Sequence, residues 1–440
     1  MKLIRRTIGL FLILFASLSL IYQPARAQSS ESLVIVLTAD GPIMPPMLEY
    51  IKRGIETADR RNAELVVIQL NTPGGNLDTM LIIIQEIRAS DVPVVVYVAP
   101  RNAIAGSAGA MITMAGHASA MAPETSIGAS SPISGTGEVL DPTAATKAKE
   151  ITKAAIREFV EPRGAEALAL AEAMIDEAKA VTAKEALEAE LIDFVVDNVD
   201  DLLESLDGFT VQMGSGPRVL NTAEARTEPL NMSFIEELLL LLTNPNIAFL
   251  LLAIGVQAIL IEISSPGGWV AGFIGVVCLT LAVYGIGVLP VNWFGIIFLI
   301  LAFVLFILDI NAPTHGALTT AGVISFIIGA LVLFNSPGTP DFLRVSVPLV
   351  VSTGFAIGLL FFVVLMFAIR ALRAPIASGA ESFAGKVGTA TSWSEAGGQV
   401  QLQSELWTAD AVEDSAKIRK GDKVEVVEVK GLRLKVRKKK

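Results

Sequence analysis

Val92-Pro-Val-Val-Val-Tyr-Val98 is a short apolar run, and past Ala99, Pro100 and Arg101 it gives way to Asn102-Ala-Ile-Ala-Gly-Ser-Ala-Gly-Ala-Met111. The first part predicts a buried strand, and Ala110 to Ala115 predicts a helix that starts in the small residues. Ser107 lies at the centre of the second part. Its neighbours Ala105, Gly106, Ala108, Gly109 and Ala110 let another backbone approach the hydroxyl closely. A helix N-terminus presents unpaired N–H groups and a positive dipole end, which suits a nucleophile and a developing oxyanion. A tightly packed helix start with no chemistry fits the same residues.

Outward from that centre, strands and helices alternate from Leu33 to about Leu206: strand Leu33–Leu37, helix Pro45–Arg61, strand Leu65–Leu70, helix Leu77–Ala89, strand Val92–Val98, then the Ser107 helix. This order implies a parallel sheet with crossover helices. The second strand runs into Asn71-Thr-Pro-Gly-Gly-Asn76, where Gly74 and Gly75 free the backbone to turn. That turn suits an oxyanion hole at the carboxyl end of the strands, and it suits a plain strand-to-helix connection equally. Met121 to Pro132 continues as short strand and loop, followed by a Gly/Ser-rich loop and a helix from about Thr143 to Glu161.

The 440-residue chain is 52% hydrophobic, which is too much for a purely soluble protein and implies that a large part lies in lipid. A net charge of −10 with no basic stripe argues against a nucleic-acid partner. One cysteine, Cys278, excludes an internal disulfide, and two histidines, His117 and His315, exclude a multi-histidine metal centre. The residues imply no cofactor. Met1 to Ala27 reads as a signal peptide: Lys2, Arg5 and Arg6, then an apolar core, then Ala25-Arg26-Ala27 as cleavage site.

These features divide the chain into a signal peptide (1–27), an α/β domain (28–206), a linker and interfacial segment with one strand at most (207–243), a membrane domain (244–372) and a small all-β barrel (380–440). Five spans are expected, near Ile247–Ile263, Trp269–Leu289, Trp293–Ile310, Ala317–Phe334 and Val345–Ile369. Arg370 and Arg373 put the carboxyl side in the cytoplasm, so an odd number of spans leaves the α/β domain outside. Glu262 and Asp309 at span ends read as solvated edges rather than an ion path. In the tail, period-two runs at Lys386–Ser392, Gln399–Leu406, Lys423–Val429 and Leu432–Val436 predict the barrel.

If Ser107 is a nucleophile it needs a base within hydrogen-bond reach. His117 lies ten positions along the same helix, roughly 15 Å away at about 1.5 Å per residue. A desolvated lysine is the other choice, and the helix after Ser134 offers Lys147, Lys149 and Lys153.

Thr72-Pro-Gly-Gly75, Gly106-Ser-Ala-Gly109 and Met121-Ala-Pro-Glu-Thr-Ser-Ile-Gly128, in this order of parts, resemble the NfeD-type membrane serine proteases. That resemblance implies a Clp/crotonase-like α/β exported domain, a multi-span α-helical membrane domain and a small all-β OB-like barrel, which the charges above place in the cytoplasm. It assigns Ser107 as nucleophile and Gly75 with Ala108 as oxyanion donors. It also implies a hydrophobic segment of a membrane protein as substrate, a stomatin-like partner and a homo-oligomer. Arg157 stands at the family's lysine position, and arginine stays protonated. Lys153, one turn earlier in the row Lys149, Lys153, Arg157, is therefore the expected base, its amine made less basic by the guanidinium. The departure at Arg157 keeps open a rival reading, a membrane scaffold that uses the same domain only for binding.

Overall fold

Strand residues in the first domain alternate between two apolar cores. Ile35, Leu37, Val66, Ile68, Val94 and Val96 enter one, while Val34, Leu65, Val67, Val95 and Tyr97 enter the other. A sheet buried on both faces needs continuous apolar strands, which explains why these runs lack the polar alternation of a half-exposed sheet. The computed structural model describes residues 32–132, 141–264, 268–311, 314, 316–372, 380–412 and 417–439. The expected signal peptide, most of the Gly/Ser-rich loop and Arg373 lie outside the described residues.

The elements run β1 (Leu33–Asp40), α1 (Pro45–Arg60), β2 (Leu65–Asn71), α2 (Leu77–Ala89), β3 (Val94–Val98), β4 (Ile104–Gly106), α3 (Ala108–Ala115), β5 (Ala118–Met121) and β6 (Ser126–Gly128). Then come α4 (Pro142–Val160), α5 (Ala165–Asp176), β7 (Ala180–Thr182), α6 (Ala183–Glu188), β8 (Phe194–Val195) and α7 (Val199–Leu206). The expected order of strands and helices up to Ala89 holds, and the Val92–Val98 strand begins at Val94. The segment read as a linker carries more than one strand. It holds a hairpin, β9 (Thr210–Met213) with β10 (Gly216–Val219), and then β11 (Arg226–Pro229), which pairs in parallel with β1. The main sheet therefore has six parallel strands in the order β11-β1-β2-β3-β5-β8, and a smaller sheet, β4-β6-β7, stands beside its carboxyl end.

Next, α8 (Phe234–Leu242) starts with a capping box between Ser233 and Glu236. Glu236 also receives two hydrogen bonds from Arg53 of α1, at 2.8 and 2.7 Å, which dock α8 on the α/β domain. The helices α9 (Pro245–Ser264), α10 (Val270–Val288), α11 (Phe294–Asn311), α12 (Ala317–Phe334) and α13 (Val347–Leu372) follow. Four of them are long and apolar enough to cross a membrane; the apolar part of α11, Phe294–Asp309, is shorter than the span expected there. A Cβ on Gly329 would lie 2.9 Å from the Gly295 carbonyl oxygen, so α11 and α12 cross at a small-residue contact.

Neither acidic residue at the helix ends is a simple solvated edge. Glu262 accepts the N–H groups of Trp269 and Gly272 at the start of α10. Asp309 is 2% exposed and accepts the Thr319 N–H at 3.1 Å together with the Thr314 and Thr319 hydroxyls. Each carboxylate thus caps the helix that follows it, satisfying donors that lipid would leave bare.

The tail is a closed barrel of five strands, β12 (Val387–Ser394), β13 (Gly397–Leu402), β14 (Glu405–Ala411), β15 (Lys423–Lys430) and β16 (Arg433–Lys438). The run Gln399–Leu406, expected as one strand, is two. Gln403 turns the chain with φ +56°. The α/β, membrane-helical and all-β parts expected of the chain are all present.

Candidate active site

Ser107 is the hinge between β4 and α3, with φ +50° and ψ −113°. A non-glycine residue holds such a backbone only when its surroundings fix it. Here its N–H donates to the Gly128 carbonyl at 2.8 Å, and its own carbonyl accepts from the Ser130 hydroxyl at 3.1 Å. The small neighbours have a concrete use. A Cβ on Gly106 would lie 2.9 Å from the Pro73 carbonyl oxygen, and one on Gly109 would lie 2.4 Å from the Thr72 methyl. The Thr72–Gly75 turn therefore rests directly on the serine turn, joined to it by Thr72 N–H to Ile104 (2.7 Å) and Gly106 N–H to Thr72 (2.9 Å).

Gly74 has φ +118°, and a Cβ there would meet the Ser107 Cβ at 2.7 Å. Gly75 forms a parallel bridge with Ile43. The Ile43 N–H donates to Gly74 O and the Asn76 N–H donates to Ile43 O, both at 2.8 Å, so the Gly75 amide takes no part in this pairing. A Cβ on Gly75 would sit 2.1 Å from the Ile43 carbonyl oxygen, so only glycine fits. Ala108 is the first residue of α3, where helix geometry supplies no intrahelical acceptor for its N–H.

Ser107, Gly75 and Ala108 line one pocket of about 40 Å³ with Leu77, Met80, Met111, Ser130, Pro132 and Thr152. Leu77, Met80 and Met111 make an apolar wall beside the hydroxyl. Sequence reasoning gave Thr72 and Thr152 no role of their own at the site. Thr72 Oγ1 braces the turn by accepting the Gly74 N–H at 3.1 Å, a role that the Asn71-Thr-Pro-Gly-Gly pattern hints at. Ser131 donates to the Ile175 carbonyl at 2.9 Å.

Lys153 is absent from the pocket lining. Its ammonium pairs with Glu150 and with Asp176, the latter at 3.2 Å, and these carboxylates raise its pKa above the ordinary lysine value. The expected lowering by Arg157 does not occur, because Arg157 is itself engaged by Glu172 at 2.8 Å, which raises its own pKa. Lys149 donates to the Asp176 carbonyl oxygen at 2.6 Å. The i, i+4 row is real, but it faces α5 rather than Ser107. Lys147 is exposed and has no hydrogen bond or ion pair among the described residues. His117 lies past the far end of α3, where Nδ1 accepts the Val94 N–H at 3.1 Å. Burial, with the charge of Arg88, pushes its pKa down to about 4.

Residues 34–212 match the family described as NfeD1b, N-terminal domain; residues 246–367 match the NfeD integral membrane domain; and residues 380–438 match the NfeD-like C-terminal, partner-binding domain. The membrane-bound protease PH1510 of Pyrococcus horikoshii is 34% identical over 415 residues, which is 92% of this chain and 93% of that protein. The chain belongs to the NfeD family. A second NfeD relative, the membrane protein NfeD1b of Bacillus subtilis, is 27% identical over 450 residues, covering 98% of this chain and 97% of its own. A solved variant of the 1510-N membrane-bound stomatin-specific protease, in complex with a substrate peptide, is 32% identical and covers 48% of this chain and 98% of its own, with a TM-score of 0.45.

Proposed function

We propose that this NfeD protein is a membrane-anchored serine endopeptidase that cleaves hydrophobic segments of membrane proteins, a stomatin-like protein among its partners. The observation that carries the reading is the convergence of a backbone-strained Ser107 with Gly75 and Ala108 on one pocket. Ser107 Oγ attacks the peptide carbonyl carbon and the carbonyl oxygen becomes an oxyanion, held by the Gly75 and Ala108 N–H groups. The serine proton passes to a lysine amine and from there to the leaving amine, and water then releases the acyl group. This chemistry needs no cofactor.

Lys153 does not suit the role of base, because an ammonium clasped by two carboxylates has no lone pair to offer near neutral pH. We assign the proton acceptor to Lys147, the lysine of this helix left without a partner among the described residues, whose exposed amine must be carried into the water-poor pocket to give up its proton. It stands on the far side of α4 from Thr152, so the first turns of α4 must shift when substrate binds. No residue of α4 before Thr152 is buried, so that shift breaks no core packing. Lys147→Ala is expected to lose peptidase activity while Lys153→Ala keeps it. The reverse pattern overturns the assignment.

The engagement of Lys149, Lys153 and Arg157 by α5 favours one other reading, a scaffold that binds partners without cleaving them. Covalent labelling of the full chain by a fluorophosphonate separates the two, since only an activated serine reacts. The α/β domain faces the outside and the barrel the cytoplasm in this proposal, with α11 counted as the fifth crossing, and the protein works as a homo-oligomer.

A further inference from the structure

Asp40, Gly41 and Pro42 lead directly into Ile43, the residue that bridges Gly75, and Pro73 precedes the two glycines of the oxyanion turn. The same four residues line a second, larger cavity of about 390 Å³. Its other wall is made by Leu240 and Leu241 at the end of α8, Pro245 at the first turn of α9, and Phe342 and Leu343 ahead of α13. One side of the cavity is thus the catalytic turn, and the other is the place where two membrane helices begin. All of these residues belong to one compact unit. The wall is held in place, because Arg53 clasps Glu236 and the Tyr50 hydroxyl donates to the Leu230 carbonyl at 2.6 Å. Leu241 is nevertheless 52% exposed and Phe342 39% exposed, an open apolar surface next to the candidate active site.

We propose that this cavity seats the apolar stretch of a membrane-protein substrate where it leaves the bilayer, and so feeds the adjoining peptide bond to Ser107. The inference rests on the peptidase reading and adds the route by which its substrate arrives. Peptide is favoured over lipid by charge. Asp40 and Glu237 edge the cavity, and carboxylates there offer acceptors to the N–H groups of a peptide and repel an anionic headgroup.

The test uses the full chain in nanodiscs, with Ser107→Ala and a benzophenone amino acid in place of Leu241. It is illuminated with either a Leu/Ala-rich peptide or a Gly/Ser peptide of equal length. The apolar peptide is expected to crosslink about tenfold more, and Leu241→Glu in the otherwise native chain is expected to weaken its binding about tenfold with the rate of fluorophosphonate labelling unchanged. Equal crosslinking of the two peptides, or crosslinking to phospholipid alone, overturns the proposal. The peptidase reading fails separately, through absence of labelling in the native chain.

Discussion

At Ser107 the backbone is held at φ +50°, a strain of about 1–3 kcal/mol for a residue with a Cβ, and the hydrogen bonds to Gly128 and Ser130 on either side of it keep it there. Gly75 is constrained as strongly from the opposite direction, since any side chain would collide with Ile43. Gly75→Ala is therefore expected to lower kcat by about 10²-fold or more, because the collision displaces the residue 75 N–H from the proposed oxyanion position, measured on any peptide the native chain cleaves. These residues were legible in the sequence because close approach of two backbones requires small side chains, and small side chains stand out. The surroundings of Lys153 were not legible, because they depend on Asp176, which only the packing of α5 against α4 brings alongside. His117 gives a prediction of its own. Its folded pKa of about 4 lies below the ordinary value, so the unfolded chain binds the extra proton first. The stability it contributes is present above about pH 6.5 and is lost as pH falls toward 4, by up to about 3 kcal/mol. His117→Gln, which keeps an acceptor for Val94 N–H, is expected to flatten that part of the stability profile in denaturant unfolding.

Helices and strands up to Ala89 followed the sequence closely because the strands are apolar runs packed on both faces, α1 starts at Pro45 and α2 starts at the cap Asn76, whose side chain accepts the Thr79 N–H. Strand β11 and the turn at Gln403 were missed for physical reasons. Strand β11 reads Arg-Thr-Glu-Pro, a polar edge strand with no apolar alternation, held beside β1 partly by Arg61 and Glu228 at 2.6 Å. The turn at Gln403 has positive φ without the Gly or Asn that usually announces one. Helix α8 makes the element-scale prediction. Arg53→Ala removes two hydrogen bonds to Glu236 and is expected to cost about 1–3 kcal/mol of stability, read as a lower denaturation midpoint. It is also expected to loosen α8 and slow cleavage of apolar substrates, with fluorophosphonate labelling kept.

For the whole molecule, the three parts expected from composition are present, and what composition left undecided is the parity of the crossings. Four helices meet the length for a span and α11 falls short, so a phosphatase active only outside the cytoplasm, fused after Lys440, tests the proposed arrangement. Inactivity is expected from five crossings with the α/β domain outside, and activity would mean that α11 does not cross. The claim on which the account depends most is that this membrane-bound chain carries an activated serine. Its most direct measurement is fluorophosphonate labelling of the purified full-length protein, followed by mass spectrometry of the labelled peptide. The account predicts one adduct, on Ser107, abolished by Ser107→Ala in a chain whose thermal unfolding is unchanged. Absence of any adduct, or the same adduct yield in Ser107→Ala, would contradict it.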